Sequence, residues 1–241
     1  MLKLENITIS INNNTILKPF STHLEKGDFV VIIGHNGSGK STLLNSISGK
    51  IKTTNGKILL KSIPIQSLNK RERSKLISSL DQNPEKNCVP SLTVKENIAL
   101  ALLKEKKASL KNGLSIIKNS KVVKQINELF NDENILDKKM SELSGGQRQL
   151  IAFLMATAIL PKILILDEPT AALDPKSSIK MAKLIDESTQ KHKHITLMVT
   201  HDIQKAKQFG NKLWIVKNGR IKQISKKEKT FSHEEIQHML N

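Results

Sequence analysis

Polar and apolar residues alternate from Leu2 to Ile11, a period of two that predicts a strand with one buried face. Phe29 to Ile33 (FVVII) is apolar at every position, which predicts a strand covered on both faces. A glycine-rich loop follows, and then a helix predicted from Lys40. Asn55-Gly56 predicts a turn before a short strand, Lys57 to Leu60. Beyond Asn83 the character changes: Pro84 and Pro90 interrupt the chain, and a lysine-rich, helix-like stretch follows. It holds Lys104, Lys106, Lys107, Lys111, Lys118, Lys121 and Lys124, interleaved with Leu110, Leu114 and Ile117 at helical spacing. Leu150 to Leu160 (LIAFLMATAIL) reads as a buried helix.

Strand signals then return. Ile163 to Leu166 (ILIL) predicts a central strand, and Ile195 to Val199 and Leu213 to Val216 predict two more. Asp174-Pro175 reads as an N-cap followed by proline at the first helical position, on a helix with Ile179, Ala182 and Ile185 on one face. Asn218-Gly219 predicts a hairpin, and Thr230 to Asn241 a short helix starting at Ser232 with Glu235 three residues on. Alternating strands and helices predict an α/β fold with a largely parallel sheet. We expect one domain over 1–241, with an α/β core (1–84 and 161–241) interrupted by a helical subdomain (85–160).

Composition narrows the setting. A chain of 241 residues with 38% hydrophobic content can bury a sizeable core. No apolar run reaches the roughly 18 residues of a membrane span. The start, MLKLENITIS, lacks an apolar signal segment, so secretion is not expected. Cys88 is the single cysteine, which excludes an intrachain disulfide and a cysteine metal cluster and fits a reducing compartment. Lys+Arg outnumber Asp+Glu by 39 to 22, a net charge of +17 that calls for an anionic neighbour: nucleic acid, a membrane surface or nucleotide. Aromatic residues are only 3% and tyrosine is absent, which argues against a base-stacking platform. Lys222, Lys226, Lys227 and Lys229, like the earlier lysines, read first as a solvated face and second as attraction to an anionic leaflet.

Three segments carry chemistry. Gly34-His35-Asn36-Gly37-Ser38-Gly39-Lys40-Ser41, with Thr42 next, matches G-x-x-x-x-G-K-[ST] between an apolar strand and a helix. Glycines there let backbone N–H groups turn onto phosphate oxygens, and the helix offers its positive end to the same anion. Lys40 would reach the β- and γ-phosphates, and the Ser41 hydroxyl would meet Mg²⁺. The strand Ile163 to Leu166 ends in Asp167, placed to hold Mg²⁺, and Glu168, placed to take a proton from the attacking water. Leu143 to Gln147 (LSGGQ) puts Ser144, Gly145 and Gly146 at the start of a second helix, a second site able to meet an anion.

GHNGSGKST, LSGGQRQ, ILILDEPT, AALD and VTHD, in this order, resemble the ATP-binding subunits of ABC transporters from Met1 to about Ile224. The resemblance implies a P-loop ATPase fold with antiparallel N-terminal strands, the cofactors ATP and Mg²⁺, and hydrolysis in a two-subunit sandwich. In such a pair Ser144 to Gln147 of one copy complete the site of the other. It implies that Gln82, in LDQNP, meets Mg²⁺ and the attacking water. It implies that Asp174 crosses the subunit interface, and that His201 touches the γ-phosphate. Partners implied are membrane permease subunits, a second ATPase subunit (a homodimer, since every motif is intact) and a substrate-binding protein, all at the cytoplasmic face of the membrane. The run TVKENIALALLK, with GLSIIK and LMVTHDIQKAKQFGNKL, resembles an importer branch paired with tryptophan- or tyrosine-type binding proteins. Nucleic acid is not expected, although the positive charge keeps an ATPase acting on the ribosome or nucleic acid as the alternative. One departure stands out: the family's adenine-stacking aromatic is matched here by Ile11, which keeps dispersion but loses the ring–ring term of about 0.5–1.5 kcal/mol.

Overall fold

The computed structural model describes residues 1–104, 113–117, 120–130, 132–171, 173–225 and 233–240. Lys106, Lys107, Leu110, Lys111, Lys118, Lys226, Lys227, Lys229, Thr230, Ser232 and Asn241 lie outside them.

In chain order the strands are β1 (Leu2–Ile11), β2 (Asn14–Leu24), β3 (Phe29–Ile33), β4 (Asn55–Leu60), β5 (Ile63–Pro64), β6 (Ile77–Leu80), β7 (Ile163–Asp167), β8 (Ile195–Val199), β9 (Lys212–Lys217) and β10 (Arg220–Ser225). The α-helices are α1 (Lys40–Ile47), α2 (Lys70–Leu76), α3 (Val94–Leu103), α4 (Lys121–Phe130), α5 (Gly145–Thr157), α6 (Pro175–His192), α7 (Ile203–Gln208) and α8 (His233–Leu240).

Two sheets form. One is antiparallel, in the order β2-β1-β4-β5; the other runs β10-β9-β3-β8-β7-β6 and is parallel except for the β9–β10 hairpin. Residues of the second sheet divide by parity between two cores. Phe29, Val31 and Ile33 join Leu164, Leu166 and Met198 against α3, α4, α5 and α6. Val30 and Ile32 join Ile163, Ile165, Leu197, Trp214 and the apolar side of β1, β2 and α1. An unbroken apolar strand is therefore a strand pressed from both sides.

The alternation of β1 changes phase midway. Leu2 and Leu4 are buried, and so are Ile7 and Ile9. The extra residue is taken up by Asn6, at φ 46°, where the pairing with both neighbours shifts. Opposite it lies Gly56, at φ 78°, where an added Cβ would meet the Glu5 carbonyl at 2.3 Å. Asn55-Gly56 thus opens β4 as a bulged pair inside the strand, in place of the expected turn.

Other expectations shift in detail. ILIL is one strand in from the sheet edge, because β6 pairs outside it. Leu150 to Ala156 are buried in α5 as expected, but Leu160 lies beyond the helix and is half exposed. On α6 the core face is Met181, Ile185 and Thr189, and Ile179 is 71% exposed. Asn218 and Gly219, at φ 47° and 73°, close the β9–β10 hairpin as expected. The terminal helix forms as α8 and buries Ile236.

Candidate functional site

The parallel sheet delivers several chain segments to one edge. Ile32 lies beside Val199, Val199 beside Asp167, and Leu166 beside Leu80, so β3, β8, β7 and β6 end side by side at their C-terminal ends. In open α/β sheets that edge is where ligands bind.

From β3 the chain enters the loop Gly34 to Gly39. An added Cβ at Gly34 would meet the Val216 carbonyl at 2.3 Å, so only glycine lets the loop leave the sheet this closely. Gly39, at φ 107°, caps α1 without any side-chain hydrogen bond. The first N–H groups of α1 consequently point into the loop without a cap. Lys40 is buried, and its Nζ donates to the carbonyls of Gly34 at 2.7 Å and His35 at 2.8 Å, filling the ring of the loop. Burial lowers the Lys40 pKa, while Glu168 and Asp167 oppose that shift. The Ser38 hydroxyl is buried with no partner. His35, Asn36 and Gly37 are exposed, as is Ser41; Thr42 is half-buried. The His35 ring also lies 3.1 Å from the Leu240 carbonyl at the end of α8.

β7 brings in the two carboxylates. Glu168 takes a positive φ of 48° and is held by its N–H to the Val199 carbonyl at 3.1 Å. Such a conformation costs on the order of 1–3 kcal/mol for a non-glycine residue and turns the side chain away from the strand's alternation. Glu168 Oε1 lies 2.5 Å from His201 Nε2. His201 is carried there by the β8 end, where Thr200 N–H bonds the Ile32 carbonyl and Asp202 caps α7. Lys205 of α7 reaches back to the Thr170 hydroxyl at 2.7 Å, tying the His201 segment to the Glu168 segment.

Asp167 and Ser41 line one small cavity with Asn45, Ser79 and Asp81. Burial raises the Asp167 pKa, as do the neighbouring charges of Asp81 and Glu168; Lys40 and His201 act the other way. A buried carboxylate with a second one beside it suits a hard divalent cation. Among the described residues no three His, Cys, Asp or Glu side chains converge as a metal cluster. A hydroxyl and a carboxylate alone fit Mg²⁺, which keeps waters and phosphate oxygens in its shell.

Asp81 is a site residue that sequence reasoning missed. Its carbonyl accepts from the buried Gln149 of α5 at 3.1 Å and from Asn87 at 2.8 Å. Gln82 follows it, exposed, at the end of β6. The only sequence signal for Gln149 was a polar residue beside the apolar run of α5.

Ser144, Gly145, Gly146, Gln147 and Asp174 gather at a second place, the adjoining N-termini of α5 and α6. Ser144 caps α5: its hydroxyl accepts from Gln147 N–H at 3.2 Å, and Gln147 Oε1 accepts from Ser144 N–H at 2.9 Å. An added Cβ at Gly146 would meet Ser177 Oγ at 2.6 Å and Asp174 Oδ2 at 3.2 Å, whereas Gly145 faces open space. Asp174 caps α6 through Ser177 N–H at 3.0 Å, and hydrogen bonding from the Ser177 side chain, then from its N–H, holds its carboxyl below the usual range. Ile11, at the end of β1, is 41% exposed.

A family model described as ABC transporter matches residues 17–171. The chain belongs to the ABC transporter family. It is an ATP-binding subunit of that kind and an ATP hydrolase. A tyrosine transport ATP-binding protein of Clostridioides difficile is 41% identical, over 92% of this chain and 90% of that protein. The energy-coupling factor transporter ATP-binding protein EcfA1 of Mycoplasma mobile is 32% identical, over 96% of this chain and 87% of that protein. Among solved structures, the dimeric post-hydrolysis cassette MJ0796 bound to ADP and Pi superposes with a TM-score of 0.77 at 30% identity, covering 93% of this chain and 98% of that one. The cassette cbiO1 of Clostridium perfringens, part of the cbiONQ complex, gives 0.80 at 28% identity, covering 100% of this chain and 94% of that one. None of these relatives is named for action on the ribosome. Among the described residues no helix is long and apolar enough to cross a membrane.

Proposed function

We propose that this ABC subunit powers an importer from the cytoplasmic face of the membrane, as a homodimer that closes on two Mg-ATP. One observation carries the reading: Glu168 and His201 are joined at 2.5 Å on the same sheet edge as the ring closed by Lys40. In this reading the backbone of Gly34 to Thr42 and Lys40 hold the phosphates. Ser41, Asp167 and Gln82 would hold Mg²⁺, and the ion would supply charge neutralisation for the phosphates when bound. Glu168 accepts a proton from the attacking water, whose oxygen bonds the γ-phosphorus as the bond to the ADP oxygen breaks. His201 orients Glu168 and meets the γ-phosphate. Ile11 covers the adenine by dispersion alone.

Ser144 to Gln147 and Asp174 serve the site of the second copy. Hydrolysis removes the γ-phosphate that both copies share, and the pair separates. The hydrogen bond from Gln149 to the Asp81 carbonyl ties α5 to the Gln82 segment, so its movement would reach the helical stretch (85–160) and the permease. The relative named for tyrosine transport supports an amino acid as the solute; a separate permease and a binding protein are part of the same proposal. The experiment is co-purification from membranes. We expect an integral membrane partner and Mg-dependent ATP hydrolysis in the isolated complex. Recovery with ribosomes and without a membrane protein would contradict the proposal.

A further inference from the structure

The end of α1 and the α2 helix face each other across a cleft of about 470 Å³. Lys50, Lys70 and Arg73 line it, and no carboxylate does. Among the described residues none of the three makes an ion pair. The acid of α2, Glu72, is engaged by Asn69 N–H at 2.8 Å in the helix cap. Arg73 is fixed in place: its Nη1 donates to the Gly49 carbonyl at 3.1 Å, and a Cβ at Gly49 would meet that nitrogen at 2.7 Å. Gly49, at φ 73°, is therefore the residue that lets the guanidinium lie across the end of α1. One of five donors is used there, and the others remain for a ligand. Ser48 and Ser74 also line the cleft but donate to the Asn45 and Arg71 carbonyls at 3.0 and 2.8 Å. Among the lining side chains, the donors left over are those of the three cations and the Ser79 hydroxyl.

Three like charges around one cavity repel until an anion joins them. A guanidinium fork beside two ammonium groups matches a tetrahedral, doubly charged anion better than a single carboxylate. We propose that this cleft binds a phosphate-bearing anion. Free phosphate is one source, because Ser48, Lys50 and Ser79 also line the cavity of Ser41 and Asp167, where hydrolysis would release it; that arm rests on the proposed function. A phospholipid headgroup is the other source, and it does not depend on hydrolysis.

The test uses the full chain and the double variant Lys50→Gln/Lys70→Gln, with thermal melting as the check on folding, and Arg73→Lys as the second variant, which keeps charge but loses the fork. In one arm, inorganic phosphate is titrated by ³¹P NMR with the P-loop already filled by a non-hydrolysable ATP analogue. In the other, protein is floated with vesicles of phosphatidic acid, whose headgroup is a phosphate monoester, in phosphatidylcholine, against phosphatidylcholine alone. We expect the chain to bind in one arm or both, and the double variant to bind about fivefold more weakly for each lysine removed. The arm that responds identifies the source. No binding by the unaltered chain in either arm, or equal binding by folded variants, overturns the proposal.

Discussion

The helices α1 and α5 both begin at glycine-rich turns, yet their first turns are prepared in opposite ways. α1 starts at Gly39 with no side-chain cap, and Lys40 folds back onto the loop carbonyls. α5 starts at Ser144 with a complete capping box to Gln147. An uncapped end leaves N–H groups whose partner must come from outside the chain. A capped end has one first-turn N–H, that of Gln147, met by the cap, and can present its dipole to an anion held by something else. In the proposed function the first tip grips a nucleotide, and the second meets one already gripped.

Removing the charge at the first tip separates the two roles most strongly. Lys40→Ala should lower ATP turnover about 10²–10³-fold, the scale for losing a preorganised donor to transferring charge. Steady-state kinetics check this, and turnover within a few-fold of the unaltered chain would return α1 to a merely structural role. At the second tip the two glycines should part company. Gly146→Ala forces a Cβ against Ser177 and Asp174 and should cost about 1–3 kcal/mol in a denaturant melt, while Gly145→Ala should cost nothing measurable. Equal losses would mean that the second tip is not shaped by its contact with α6. The smallest effect concerns the base. Ile11→Tyr should tighten ATP binding by about 0.5–1.5 kcal/mol in calorimetry, and an unchanged affinity would remove Ile11 from the nucleotide contact.

Local features of the molecule could be read from the chain, and features made by distant residues could not. β3, β7, β8 and β9 were anticipated because burial on both faces leaves an unbroken apolar run. β6 was not, because Ser78 and Ser79 interrupt its pattern although Ser78 is buried. That strand carries Asp81 and Gln82 to the edge, so overlooking it hid the third carboxylate near Asp167. The loop around Lys40 follows from spacing alone. The link from Gln149 to the Asp81 carbonyl joins residues 68 apart, which no local pattern encodes. The face of α6 was misjudged for a related reason: Ile179 is apolar but lies off the line of Met181, Ile185 and Thr189.

Light scattering of Glu168→Gln with and without Mg-ATP bears on the two-tip account as a whole. The account predicts a monomer without nucleotide, a stable dimer with it, and loss of that dimer when Ser144→Arg is added. A Glu168→Gln protein that stays monomeric in Mg-ATP beside its membrane partner, or that dimerises equally well with Ser144→Arg, would contradict it.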